Sequence, residues 1–177
     1  MPIEYEESWK EKLTSMVPVY GELKKKGRRK EMDKKVREKA LTFLNHSKDG
    51  VDQLNKTLIQ QENEELLQSV EDLRSKIDVV KRKLDNTKYG HSSVFELDNP
   101  SSERIEKIVE YDAKIIVKSK NFQKHVEELT DKSIGNEVEL EDIQGLLREV
   151  DILKKDWERR KDVIMGVDDI EEQIDYS

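Results

Sequence analysis

Apolar side chains recur at steps of three and four residues along most of the chain, which is the spacing of one face of an α-helix. The clearest run steps by four and three in alternation and comprises Leu66, Val70, Leu73, Ile77, Val80 and Leu84. This alternation is the heptad pattern of coiled coils. Similar stripes run from Ile105 to Leu129 and from Leu140 to Ile164. The pattern predicts an all-α protein of long helices with coiled-coil-like packing.

Turn-forming residues divide this pattern into four predicted helices, over residues 9–46, 51–87, 100–133 and 138–165. Asn45 to Gly50 is predicted as a turn because Asp-Gly tolerates the backbone angles of turns. Asn99 before Pro100 suits the start of the third helix, and Gly135 could end it with a left-handed backbone. Asn136 and Glu139 have the spacing of a capping box that would start the fourth helix.

Four helices of similar length joined by short loops predict an antiparallel up-down-up-down bundle. The first helix is expected to be kinked or broken near Pro18 and Gly27, because proline removes a backbone donor. Residues 1–166 would form a single helical-bundle domain, and residues 167–177 an acidic C-terminal tail.

Two other arrangements fit the same pattern. If Gly27 is a true turn, the first two pieces form a separate hairpin and the core is a three-helix coiled coil. If the Asp49-Gly50 turn fails, residues 28–87 form one very long helix, which must dimerise to cover its apolar stripe.

The apolar stripes also predict which side chains form the core. The seam residues expected to be buried together are Leu73, Ile77, Ile108, Ile115, Phe122, Leu147 and Val150. Trp9 and Trp157 are expected to fill space in the core or at a bundle end.

Two polar residues, Asp112 and Ser119, fall on the seam of the third helix. Such residues either hold a ligand, fix the register of the helices, or reach water at the bundle edge. The second and third interpretations are favoured, because the spacing suggests no His or Glu partner.

Composition limits the chemistry that these helices could perform. Charged residues make up 41% of the chain and apolar residues only 34%. This balance suits narrow apolar stripes on helices that mostly face water. There is no cysteine, which excludes disulfides, thiolate nucleophiles and cysteine-based zinc sites. No apolar run approaches the ~20 residues of a membrane-spanning helix. These features predict a soluble, cytoplasmic protein.

The usual sequence signatures of bundle enzymes and nucleotide-binding enzymes are missing. Helical di-metal sites use Glu-x-x-His pairs, but Phe43, Lys88 and Phe122 stand three residues before the three histidines His46, His91 and His125. The chain has no His-Glu-x-x-His motif, phosphate-binding glycine loop or Gly-x-Ser-x-Gly elbow. The expectation is therefore a protein without catalytic residues, metal or cofactor.

The strongest local signal is a basic segment, residues 24–39. Residues 1–50 carry a net charge of +4, whereas the rest of the chain carries −11. A possible polyanion site comprises Lys24, Lys25, Lys26, Arg28, Arg29, Lys30 and Lys35. Its partner would be nucleic acid or an anionic membrane; alternatively, the segment is an ordinary solvated face. The function expected first is a non-catalytic protein-interaction or scaffold protein, with a protein partner or self-association. Polyanion binding is the alternative.

Overall fold

The computed structural model describes residues 9–16, 29–85 and 101–166, and every regular element in these ranges is a helix. The helices are α1 (Trp9–Met16), α2 (Arg29–Gln60), α3 (Glu64–Asp85), α4 (Ser102–Ile134) and α5 (Leu140–Met165). The prediction of an all-α protein is confirmed for this part of the chain. The predicted break near Pro18 and Gly27, the residues Lys24 to Arg28, the loop containing His91 and the tail 167–177 lie outside the described residues.

Two antiparallel hairpins, α2–α3 and α4–α5, form the body of the protein. Ion pairs such as Lys48–Asp78 and Lys118–Asp156 join the two arms of each hairpin. Between the hairpins, α2 packs beside α4 and α3 beside α5. Helices α3 and α5 run parallel, since Lys76 pairs with Asp151 and Lys83, one heptad further along, pairs with Glu158. Helices α2 and α4 also run parallel, since Gly50 lies against Val126 and Gln61, further along, bonds Ser133. The short helix α1 packs on α4.

The predicted turn from Asn45 to Gly50 is wrong, because α2 continues through it as a helix. Gly50 serves close packing instead: a Cβ built there would lie 2.7 Å from Cγ1 of Val126 on α4. The seven-residue spacing of buried residues also continues through residues 45–50, since Leu44 and Val51 are seven residues apart and both fully buried. Ser47, buried between them, satisfies its hydroxyl by donating to the carbonyl of Phe43 at 2.8 Å.

The chain turns instead at residues 61–63, inside the predicted second helix. Glu62 adopts a left-handed backbone with φ of 56°. The N–H of Asn63 donates to the carbonyl of Leu58, and the N–H of Glu62 donates to that of Ile59. This pair of hydrogen bonds is the Schellman motif, which satisfies carbonyls at a helix C-terminus. The prediction of one helix over residues 28–87 is therefore wrong as well.

Other helix ends also differ from the predictions by a few residues. Ser101, rather than Asn99, caps α4 by accepting a hydrogen bond from the N–H of Arg104. Asn136, rather than Gly135, takes the left-handed conformation after α4, with φ of 59°. The cap of α5 is Glu139, whose N–H donates to the carboxylate of Asp142 at 2.8 Å. Asparagine tolerates the left-handed conformation better than most residues, so the neighbouring glycine was not needed for it.

The core consists of two apolar clusters. The main cluster takes residues from all four long helices, so a three-helix core is excluded. Six of the seven predicted seam residues are buried, whereas Leu147 is partly buried and Leu146 replaces it. Ile108 belongs to a second cluster, where Met16 of α1 packs beside buried residues of α2, α4 and α5. Leu140, which was assigned to the apolar stripe, is exposed.

Candidate functional site

Three charged side chains are buried in the described part of the chain, and they meet at one level of the helical body. Asp33 of α2, Asp112 of α4 and Arg160 of α5 are exposed by 3%, 1% and 6%. Arg160 binds Asp112 through two hydrogen bonds, from Nε at 2.7 Å and from Nη2 at 3.0 Å. Its Nη1 donates to Asp33 at 2.5 Å. One guanidinium thus joins three helices.

Two further residues complete this buried charge network. Arg37 lies one helical turn after Asp33, and its Nη2 lies 2.8 Å from the same carboxylate. Within this set, the two arginines match the two aspartates in number. The ring of Trp157 lies 5.1 Å from the Arg160 guanidinium, close enough for a cation–π contact. Buried ions that are fully paired and hydrogen-bonded in this way avoid the large cost of burying a lone charge.

Sequence reasoning identified Asp112 but missed its partners. Its partner is neither His nor Glu but Arg160, which follows Leu146 and Leu153 at intervals of seven residues on the buried side of α5. Asp33 likewise stands seven residues before Ala40 and fourteen before Ser47. The seven-residue spacing therefore already indicated that both Arg160 and Asp33 lie at buried positions. Ser119, the other polar seam residue, donates its hydroxyl to the carbonyl of Ile115 within its own helix, which leaves no ligand role to explain.

The histidines do not assemble a metal site in the described residues, where no group of three or more His, Asp or Glu side chains is placed to hold an ion. His46 is exposed on α2. Nδ1 of His125 lies 2.9 Å from the carboxylate of Glu149. This pair borders a shallow groove between α4 and α5, floored in part by Leu129 and Leu146.

The described part of the basic segment is largely engaged within α2. Arg37 pairs with Asp33, Lys34 lies 3.6 Å from Glu38, and the ammonium of Lys39 lies 5.2 Å from the ring centre of Phe43. Lys35 is exposed. Arg29 and Lys30 belong to the first turn of α2. The fold therefore brings together no convergent set of cations from residues 31–39, the part of this segment whose side chains the structure describes.

The opposite end of the body carries a concentration of negative charge. The amide of Gln61 donates to the carbonyl of Ser133 at 2.7 Å, which places the two interhelix turns side by side. We call residues 59–65 and 134–142 the acidic end. It contains seven carboxylates and no basic residue: Glu62, Glu64, Glu65, Glu137, Glu139, Glu141 and Asp142. The six glutamates are exposed.

Apolar side chains are also exposed at the acidic end. Ile134, the last residue of α4, is 76% exposed, and Ile59 near the end of α2 is 55% exposed. Leu140 at the start of α5 is 39% exposed. Large aliphatic side chains in water mark interaction surfaces when they are grouped at one part of a protein. Sequence reasoning missed this grouping, because the two stretches are far apart in the chain.

One carboxylate of the acidic end, that of Asp142, pairs with Lys132, which lies just outside this surface. Lys132 lies 2.7 Å from Asp142, and this hydrogen bond, together with the one from the N–H of Glu139, lowers the pKa of Asp142 below its ordinary value of 3.8. The same contact raises the pKa of Lys132. Asp142 therefore stays ionised at neutral pH and anchors the start of α5 to the end of α4.

A broader groove lies between α2 and α3, lined by side chains that include Leu41, Ser75, Asp78 and Arg82. Asp78 there receives the Lys48 ammonium at 2.7 Å. The groove lies open to solvent, and the charged residues that line it all belong to α3, spaced along that helix from Asp78 to Asp85.

No helix of the described ranges combines the length and the apolar character that a membrane span requires. Comparison of the chain with models of known protein families, with curated proteins and with solved structures found no match.

Proposed function

We propose that this chain is a non-catalytic scaffold or protein-interaction module, built as a four-helix bundle of two antiparallel hairpins. In this proposal the acidic end binds the partner, and the partner offers a basic segment with at least one apolar side chain. The observation that carries the proposal is the coincidence of seven carboxylates with Ile134, Ile59 and Leu140 at one end of the body. Complementary charge guides such a partner to the surface, and buried apolar contact holds it there.

The continuous helices and the interhelical contacts of the rest of the body support this role. Helix α2 runs without interruption from Arg29 to Gln60. Ion pairs cross between neighbouring helices along the body, such as Lys76–Asp151, Lys83–Glu158 and Lys118–Asp156. A surface pair contributes little stability by itself, but the buried network fixes three helices at the other end. The turns are thereby presented on a preorganised support, which lowers the entropic cost of binding.

Affinity capture from native cells tests this proposal with a matched pair of variants. Ile134→Glu removes the most exposed apolar group of the acidic end. Ile152→Glu makes the same change at a residue that is 46% exposed halfway along α5. Proteins captured by the parent and by Ile152→Glu, but lost with Ile134→Glu, support the proposal when they bind through a basic segment. Equal capture by both variants contradicts it.

The second candidate is polyanion binding through residues 24–39. It is favoured by the exposure of Lys35 and by the run of cations that precedes α2. In this case counterion release dominates the affinity, which falls steeply with salt. Replacing Lys24, Lys25, Arg28 and Arg29 with Gln is then expected to abolish binding to DNA, RNA or anionic vesicles, and capture would be insensitive to Ile134→Glu.

A further inference from the structure

The register between the two hairpins is not set by chain connectivity. The turn at residues 61–63 fixes α2 against α3, and residues 135–139 fix α4 against α5. The hairpins are joined in the chain through residues 86–101, and that number of residues can span far more than the ~10 Å of one heptad. Some other contact must therefore select the observed alignment.

The apolar seams cannot select it alone, because they repeat every seven residues. Buried positions of α2 fall at Leu44, Val51 and Leu58, and those of α4, in the other hairpin, at Ile108, Ile115, Phe122 and Leu129. A slide of one heptad, about 10 Å, would place apolar residues against apolar residues again over most of the core. Coiled coils with uniform apolar seams face the same ambiguity, which a buried polar residue resolves.

The exposed ion pairs between the hairpins share this ambiguity. Lys76 pairs with Asp151 and Lys83 with Glu158, and the members of both pairs are seven residues apart. After a slide of one heptad, Lys83 would face Asp151 or Lys76 would face Glu158. One of the two pairs would thus form again, so these contacts do not distinguish the alignments.

The buried charge network does not repeat. Within the seven-residue series of each helix, the positions next to Asp33, Asp112 and Arg160 are Ala40, Ser119 and Leu153. A slide would break the link from Arg160 to Asp33, through which the network crosses between hairpins. It would leave Asp33 without the Arg160 guanidinium and move an apolar side chain towards it. Asp33 would keep Arg37 of its own helix but lose one of its two arginine partners at a buried position, which is unfavourable.

We propose that the network of Asp33, Arg37, Asp112 and Arg160 is a register lock, which specifies the alignment of hairpin α2–α3 on hairpin α4–α5. The close approach of Gly50 to Val126 also disfavours a slide, because a slide would bring a residue with a side chain to the place of Gly50. Gly50 is therefore kept in every variant below, so that its contribution is separated from that of the network.

Cysteine cross-linking reads the register directly, because the natural chain has no cysteine. Lys76→Cys with Asp151→Cys reports the observed alignment. Lys83→Cys with Asp151→Cys, and Lys76→Cys with Glu158→Cys, report slides of one heptad in the two directions. The thiol cross-linker is chosen shorter than the slide of about 10 Å, and the full chain is used at a dilution that suppresses links between molecules.

Each cysteine pair is placed in the parent and in the quadruple variant Asp33→Leu/Arg37→Leu/Asp112→Leu/Arg160→Leu, whose net charge equals that of the parent. In the parent we expect only the 76/151 pair to link. In the quadruple variant we expect links of the slid pairs to rise from background to yields comparable with the 76/151 pair, while helicity is retained. Asp33→Asn, which removes only the charge of the cross-hairpin link, is expected to give an intermediate yield.

A quadruple variant that is helical and links only the 76/151 pair would overturn the proposal, because Gly50, the Gln61–Ser133 hydrogen bond and the apolar seams would then suffice. If the quadruple variant does not fold, absence of slid links in a folded Asp33→Asn variant has the same meaning. Loss of helicity in both variants would also overturn it, since the network would then be required for folding itself. None of these results depends on the partner of the acidic end.

Discussion

Gly50 of α2 and Val126 of α4 lie in such close contact that a single methyl group added to Gly50 would come within 2.7 Å of Cγ1 of Val126. The carbonyl of Gly50 also accepts a hydrogen bond from the hydroxyl of Thr130. The two parallel helices approach each other here because one of them lacks a side chain.

Gly50→Ala is therefore expected to destabilise the protein by about 1–3 kcal/mol through overpacking. Gly145→Ala is the matched control, since Gly145 also lies inside a helix but meets only the tip of Arg148, at 4.0 Å. That change should stabilise the protein by up to about 1 kcal/mol, because alanine favours helix over glycine. Urea denaturation of both variants checks the pair, and a stabilising Gly50→Ala would refute the packing explanation.

Arg160→Met should lower the stability of the protein far more than the same change at the neighbouring Arg159. It leaves the carboxylates of Asp33 and Asp112 buried without their shared partner, which is expected to cost about 3–5 kcal/mol. Arg159 is exposed. Arg159→Met is expected to change stability by at most about 0.5 kcal/mol, as surface substitutions usually do. Thermal unfolding distinguishes the two, and similar melting temperatures would show that the network contributes no stability.

Glu62→Gly tests the turn at residues 61–63, because Glu62 holds a left-handed conformation. That conformation suits glycine, so the change is expected to be neutral or to stabilise the protein by up to about 1 kcal/mol. Glu65 lies within the first turn of α3, and Glu65→Gly should instead destabilise the protein by a similar amount. Denaturant midpoints of the two variants on opposite sides of the parent would confirm the turn. If Glu62→Gly proved the more damaging, the turn would lie elsewhere.

Stability should fall in acid partly through Asp142. The folded protein lowers the pKa of this carboxyl by hydrogen bonds from Lys132 and from the N–H of Glu139. The resulting stabilisation is complete above the ordinary value of 3.8, and it is lost as the pH falls from there through the lowered pKa. Asp142→Asn can still accept from Glu139 but has no charge. Its melting temperature should therefore decline less steeply with acid than that of the parent, and an unchanged decline would contradict this assignment.

The helical class, the positions of α4 and α5 and most of the core could be predicted from the sequence, because apolar residues recur at steps of three and four along these helices. The boundary between α2 and α3 could not be read from local turn preference, since Asp49-Gly50 has the composition of a turn but serves close helix packing. The spacing of seven between Leu44 and Val51 carried the correct information. The seven-residue spacing of buried residues predicts the helix better here than the turn propensity of Asp49-Gly50 does. Burial of the whole apolar stripe contributes more free energy than the local preference of two residues.

The candidate sites were harder to foresee for a different reason. Arg160 and Asp33 sit at heptad positions, but charged residues at such positions also occur on exposed faces, and only tertiary contact distinguishes the two cases. The acidic end is assembled from stretches separated by more than sixty residues. The composition of either stretch alone resembles many other parts of this highly charged chain.

Site-specific photo-cross-linking in native cells tests the central claim, that the acidic end binds a protein partner, most directly. A photoreactive amino acid replaces Ile134 in one version and Ile152 in the other, and adducts are compared by mass spectrometry. We predict a discrete protein adduct from position 134, joined through a segment rich in Lys and Arg, and none from position 152. The same adducts from both positions, or adducts of position 134 with nucleic acid alone, would contradict the claim.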